Sequence, residues 1–137
     1  MFSMPRYVLL YHECPPEYER PSHWDLMLEV DGKLRTWALA QLPQGWAAAR
    51  AQTVMLYPSC AGLADENSVA IERLADHRID YLHEEGPLGG SRGEVRRVDS
   101  GTYETIAEDS KSWTAALAGS LLQGELSLHD SMLRLNL

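Results

Sequence analysis

A chain of 137 residues is sized for one domain with a real core. Its formal charge of −8, from 20 Asp and Glu against 12 Lys and Arg, excludes a broad electrostatic footprint for duplex DNA or an anionic membrane, so any nucleic-acid contact is expected to be local. Cys14 and Cys60 form neither a disulfide framework nor a CxxC knuckle, Met1 to Arg6 carries no signal peptide, and no apolar run approaches the roughly 20 residues of a membrane helix, so a reduced cytoplasmic setting is expected.

Arg6 to His12 is a dense run of Tyr, Val and Leu, read as a buried strand that stops before Pro15 and Pro16. Glu13 to Ser22 is a polar, proline-bearing loop that delivers the chain to His23. His23 to Val30 alternates: Trp24, Leu26, Leu28 and Val30 share one face, and His23, Asp25, Met27 and Glu29 share the other. Asp31-Gly32-Lys33 is a hairpin signal, and Leu34 to Leu39 is the return strand, with Trp37 in the core.

Pro43 to Ala51 is either loop or one short helix, and Thr53 to Tyr57 reads as a strand. Ala61 to Asn67 reads as a loop and Ser68 to Leu74 as a strand, with a separate short helical turn from Asp76 to Tyr81. Glu85 to Gly93, rich in glycine, is a loop. Glu94 to Asp99 and Thr102 to Ile106 read as a hairpin about Ser100-Gly101. Asp109 or Ser110 is placed to cap a helix running through Trp113, Leu117 and Leu121 to Gln123. Glu125 to His129 and Met132 to Leu137 are closing strands. The fold expected is mainly β, a compact small barrel of about seven or eight strands with one helix in the C-terminal half and a short helical turn.

His23 and Asp25 at i, i+2 on a strand sit about 7 Å apart along the chain, close enough to converge on one ion if a third ligand arrives from a neighbouring strand. His12, at the end of the first strand, is the nearest candidate. A solvent-facing polar strand face is the bland alternative. Glu29 shares that face and could instead pair with Lys33 or Arg35, and Arg92, Arg96 and Arg97 form the only basic cluster. Trp24, Trp37, Trp46 and Trp113 are better explained by packing than by base stacking.

The order of motifs resembles the 3′-phosphoesterase domain of bacterial ATP-dependent DNA ligase D. The resemblance is carried by Leu9 to His12, His23-x-Asp25-Leu26-x-Leu28-Glu29, Gly32-x-Leu34-x-x-Trp37-Ala38, Asp76-His77-x-x-x-Tyr81, Glu85-Gly86, Arg92-Gly93-x-Val95, Asp99-x-Gly101-x-Tyr103-Glu104 and Gly124-x-Leu126. It implies one phosphoesterase-like β-barrel domain over 1–137. It also implies removal of a terminal ribonucleoside and then the 3′-phosphate from nucleic-acid 3′ ends, with a divalent metal, manganese, as cofactor and DNA end-repair proteins as possible partners. By the same resemblance His12, His23 and Asp25 are metal ligands, and His77 with Tyr81 is the phosphate-contacting and proton-handling pair.

Two imidazoles and a carboxylate leave positions open on a divalent ion, which suits phosphoryl chemistry. The family strand reads H-x-D-x-R-x-E, and here Met27 stands where the arginine would clamp the phosphate. A further family basic position aligns with Val69, and Arg78, Arg73 or Arg92 could supply charge from elsewhere; Arg78 and Arg92 are carried as candidate phosphate or nucleic-acid contacts. A catalytically inactive binding module of the same fold is the alternative. A third reading is a non-haem iron facial triad completed by His77 or His129, but no Arg-x-Ser follows either histidine to hold an oxoacid.

Overall fold

The computed structural model describes residues 4–136 except Ser91. Met1 to Ser3, Ser91 of the expected glycine-rich loop and Leu137 of the expected last strand lie outside the described residues. The strands are β1 (Arg6–Glu13), β2 (His23–Val30), β3 (Lys33–Leu39), β4 (Ser68–Arg78), β5 (Gly86–Pro87), β6 (Glu94–Glu108), β7 (Ser112–Gly119), β8 (Gln123–His129) and β9 (Met132–Asn136). One helix, α1 (Ala47–Leu56), follows a 3-10 turn at Gln44–Trp46, and a second 3-10 turn spans Ile79–Leu82.

The long strands follow the order β1-β2-β3-β4-β9-β8-β7-β6, and β6 pairs back onto β1, which closes an eight-stranded antiparallel barrel. Closure gives every long strand a partner on both sides, although β4 meets β9 only at Ser68–Ala70. The mainly β barrel expected from the sequence is what forms. Both tight hairpins use left-handed backbone at their turns, with Asp31 and Gly32 at φ 52° and 79° joining β2 to β3, and Asp130 and Ser131 at 50° and 61° joining β8 to β9.

Alternation on β1 and β2 sends Tyr7, Leu9, Tyr11, Trp24, Leu26 and Leu28 into the barrel, where they meet Trp37, Trp46, Trp113 and Leu residues of β8 and β9. All four tryptophans are core residues, as expected. The opposite faces of the same strands carry a second, smaller cluster of Val8, Leu10, Met27, Leu34, Leu82 and Val95. That outer cluster is covered by Ile79, Tyr81 and Leu88, so the segment after β4 folds back over the outside of β1 and β2 as a cap. Among the described residues no helix is long and apolar enough to cross a membrane.

Four local expectations are corrected. The helix lies in the N-terminal half, not the C-terminal half, and the stretch expected to be helical from Asp109 is β7. Its capping chemistry is real but serves a turn: Asp109 Oδ1 accepts the main-chain N–H groups of Lys111 and Ser112 at 2.7 and 2.8 Å. Trp113 and Leu117 recur at helical spacing, yet Ala115 between them is also buried, and that period of two belongs to a strand.

Thr53 to Tyr57 is not a strand. Thr53 sits in α1, bonding back to the Ala49 carbonyl at 2.9 Å and accepting Trp24 Nε1–H at 3.1 Å, which seats the helix against the barrel. Nor does Ser100-Gly101 turn the chain: β6 runs unbroken through it, pairing first with β1 and then with β7. Gly101 is needed for close approach instead, since a Cβ there would run into the Ala118 carbonyl. Likewise β4 continues through Asp76, His77 and Arg78, and the helical turn begins only at Ile79.

Candidate functional site

Antiparallel register assembles the site. His12 pairs with His23 across β1 and β2, and Leu10 pairs with Asp25, so alternation brings both imidazoles and the carboxylate onto the outer face beside the small apolar cluster. The two imidazole rings are 5.1 Å apart between centroids. All three side chains are buried, Asp25 with only 4% of its surface exposed.

Each imidazole is oriented by a main-chain carbonyl. One ring nitrogen of His23, Nδ1, lies 2.8 Å from the Pro21 carbonyl, and Nε2 of His12 lies 2.7 Å from the Arg92 carbonyl. Because a carbonyl only accepts, both of these nitrogens carry hydrogen, and in the neutral rings the other nitrogen is a bare lone pair. The free Nε2 of His23 faces Asp25 Oδ1 at 3.2 Å. That contact is within ion-pair range but lacks hydrogen-bond geometry, and Oδ1 has no hydrogen-bond partner among the described residues. Two acceptors face each other there, an arrangement satisfied by a proton on Nε2 or by a cation shared between them.

The electrostatics differ between the two rings. Burial holds His12 below its ordinary pKa against the opposing pull of the Arg92 carbonyl, with His23 and His77 adding to the depression. Burial pulls His23 the same way, but the Asp25 carboxylate and the Pro21 carbonyl outweigh it and raise its pKa. The donor set therefore fits a divalent cation on two counts: two imidazoles with fixed tautomers, and a buried carboxylate whose Oδ1 has no hydrogen-bond partner among the described residues.

His77 lies on the same outer face, opposite Leu34 of β3, and its ring meets Tyr81 edge-on at 5.1 Å between centroids. This pair sits at the rim of the cluster, where Tyr81 belongs to the cap. By strand alternation Arg78 projects from the opposite face to His77. Arg92 reaches the site through its carbonyl, while its Nε–H is donated to the Gly89 carbonyl at 2.7 Å.

Met27 is 1% exposed within the outer apolar cluster. Val69 is likewise a core residue. Glu29 pairs with neither Lys33 nor Arg35 but with Arg6, whose guanidinium reaches both carboxylate oxygens at 3.0 and 2.9 Å.

Two residues near the centre escaped sequence reasoning. Cys14 Sγ and one ring nitrogen from each of His12 and His23 lie within 4.8 Å of one another. Its signal was the His12-x-Cys14 spacing, the same i, i+2 pattern that drew attention to His23 and Asp25. Burial raises the Cys14 thiol to about 11, with Asp25 and Glu13 adding to the rise. Arg20, from the loop before β2, lines a shallow cleft with Pro21, His23, Ala38 and Glu72, and is held by Glu72 at 2.7 and 2.8 Å.

Residues 17–134 match the family described as the DNA Ligase D 3'-phosphoesterase domain. The matched span takes in His23, Asp25, His77 and Tyr81 and begins after His12 and Cys14. No curated protein matches the chain.

Proposed function

The chain belongs to the DNA ligase D 3'-phosphoesterase domain family, and from that premise we propose that it is a metal-dependent phosphoesterase acting on nucleic-acid 3′ ends in DNA repair. The observation that carries the reading is the convergence of His12, His23 and Asp25 on one buried patch, with Asp25 Oδ1 lacking a hydrogen-bond partner among the described residues. These three side chains would hold the divalent cation, manganese on the family resemblance. When bound, such an ion polarises a phosphoryl oxygen and makes a coordinated water acidic.

The chain's own residues divide the remaining work. The carbonyls of Pro21 and Arg92 fix the tautomers of His23 and His12, so each presents a lone pair. His77 at the rim stabilises charge on the phosphate or protonates the leaving oxygen, and Tyr81, whose ring meets it edge-on, helps orient it. Arg92 contacts the phosphate or the flanking nucleic acid, while Arg78, on the opposite face of β4, is left to contacts away from the phosphate. Substrates are 3′-ribonucleoside and 3′-phosphate ends, and a reduced cytoplasmic setting suits the free thiols Cys14 and Cys60.

One observation favours a second reading. Met27 is packed in an apolar cluster where the family strand carries arginine. Loss of a transition-state charge contact costs about 3 kcal/mol, roughly a hundredfold in rate. That predicts either weakened turnover or a noncatalytic nucleic-acid or repair-complex binding module. Assay of a 3′-phosphate oligonucleotide with manganese separates the two: turnover lost in both Asp25→Ala and His77→Ala supports the enzyme, while metal binding without turnover supports the module.

A further inference from the structure

We propose that Cys14 is a further ligand of the centre formed by His12, His23 and Asp25, and that it biases this chain toward a thiophilic divalent cation, zinc above manganese. The inference rests on the reading of that centre as a metal site. Cys14 Sγ and one ring nitrogen from each histidine already lie within 4.8 Å of one another. A tetrahedral zinc holds nitrogen and sulfur donors roughly 3.5 Å apart, so modest side-chain adjustment brings this trio onto one ion.

The local chain is arranged to keep Cys14 there. Its main-chain N–H is donated to Ser22 Oγ at 2.8 Å, which ties together the two ends of the loop that separates His12 from His23. The thiol has little other employment. It is not disulfide-bonded, it belongs to neither apolar cluster, and among the described residues its one polar contact is a 3.7 Å approach to the His12 carbonyl. Independently of the cysteine, Asp25 Oδ1 is buried 3.2 Å from His23 Nε2 without a hydrogen-bond partner among the described residues, an open acceptor for a cation bound at His23.

Ligand chemistry then sets the preference. Carboxylate, water and imidazole suit manganese, whereas a thiolate selects zinc or cobalt. On binding, the Sγ–H bond breaks, its electron pair forms the metal–sulfur bond, and the proton leaves to solvent.

Titration of the full chain with Co2+, followed by absorption spectroscopy, tests this directly. A thiolate-to-cobalt charge-transfer band is expected in the wild type and in Cys60→Ser. It is expected to vanish in Cys14→Ser while the ligand-field bands persist. Calorimetry with Zn2+ and Mn2+ should show zinc bound more tightly, with that preference reduced by at least about tenfold in Cys14→Ser. Cobalt binding without the charge-transfer band in the wild type, or a band retained in Cys14→Ser, overturns the role of Cys14 and leaves the His12, His23 and Asp25 centre standing. Failure of the folded protein, checked by circular dichroism, to bind any of the three ions overturns both.

Discussion

His12 Nε2 lies 2.7 Å from the carbonyl oxygen of Arg92, a residue 80 positions further along the chain. This one hydrogen bond joins the end of the first strand to the glycine-rich segment before β6. It makes the cap part of the site, since the same bond that anchors the segment also sets the tautomer of His12. The approach depends on Gly93, which has φ +86° and lies so close to Glu13 that a Cβ would strike its carbonyl.

Gly93→Ala is therefore expected to destabilise the protein by about 1–3 kcal/mol, from left-handed strain and the clash together. It should also loosen the Arg92 contact with His12. Urea unfolding reads the first effect, and hydrogen exchange across residues 86–95 reads the second. An unchanged midpoint with unchanged protection would show that the close approach is dispensable.

Barrel closure makes a separate demand. Asp99 is buried and accepts Tyr7 Oη–H at 2.5 Å and the main-chain N–H groups of Leu121 and Leu122 at 3.0 Å each. Asp99→Ala strands those donors in the interior and should cost about 2–4 kcal/mol, while Tyr7→Phe should cost about 1–2 kcal/mol. Thermal or urea unfolding of both variants checks the order as well as the size; equal, small losses would mean that water replaces the carboxylate.

Much of this frame was legible in the chain. The period of two in β1 and β2 and the Asp31-Gly32 turn specify a hairpin whose outer face carries His23 and Asp25. The failures have physical causes. β7 is alanine-rich and follows a good capping residue, so local propensity favoured a helix until barrel pairing overrode it. Thr53 and Val54 suggested a strand because they are β-branched, but Thr53 is satisfied within a helix by Ala49 and Trp24. Gly101 signals a turn in isolation and close strand contact in the fold. Neither the cap nor its grip on His12 was legible, because both depend on contacts between distant segments.

Met27→Arg places a guanidinium at a position packed among Val8, Leu10, Leu34 and Leu82. The expected outcome is a loss of about 2–4 kcal/mol in stability with no gain in turnover. Undiminished stability with raised activity on a 3′-phosphate oligonucleotide would mean instead that the guanidinium escapes the cluster and reaches the phosphate.

The Arg6 pair sets a small acid-sensitive contribution. Hydrogen bonding to Arg6 holds the Glu29 carboxyl below its ordinary value of 4.5. The folded-state pKa is depressed, so the stabilisation is present above the unfolded value and is lost as pH falls through the folded one. Arg6→Ala should reduce stability by less than about 1 kcal/mol at neutral pH, because Arg6 is half exposed and solvent screens the pair, and the difference should shrink below pH 4.5. A difference that persists at pH 3 would assign the loss to packing rather than to charge.

The central claim, that His12, His23 and Asp25 hold a divalent cation, is tested most directly by calorimetric titration of the wild type and Asp25→Ala with Mn2+ and Zn2+ at matched pH, with folding checked by circular dichroism. Saturable binding of at least one ion by the wild type, weakened by at least about tenfold in the variant, is the expected result. Equal binding by the two folded proteins, or none by either, would contradict it and leave Asp25 facing His23 as a proton-sharing pair alone.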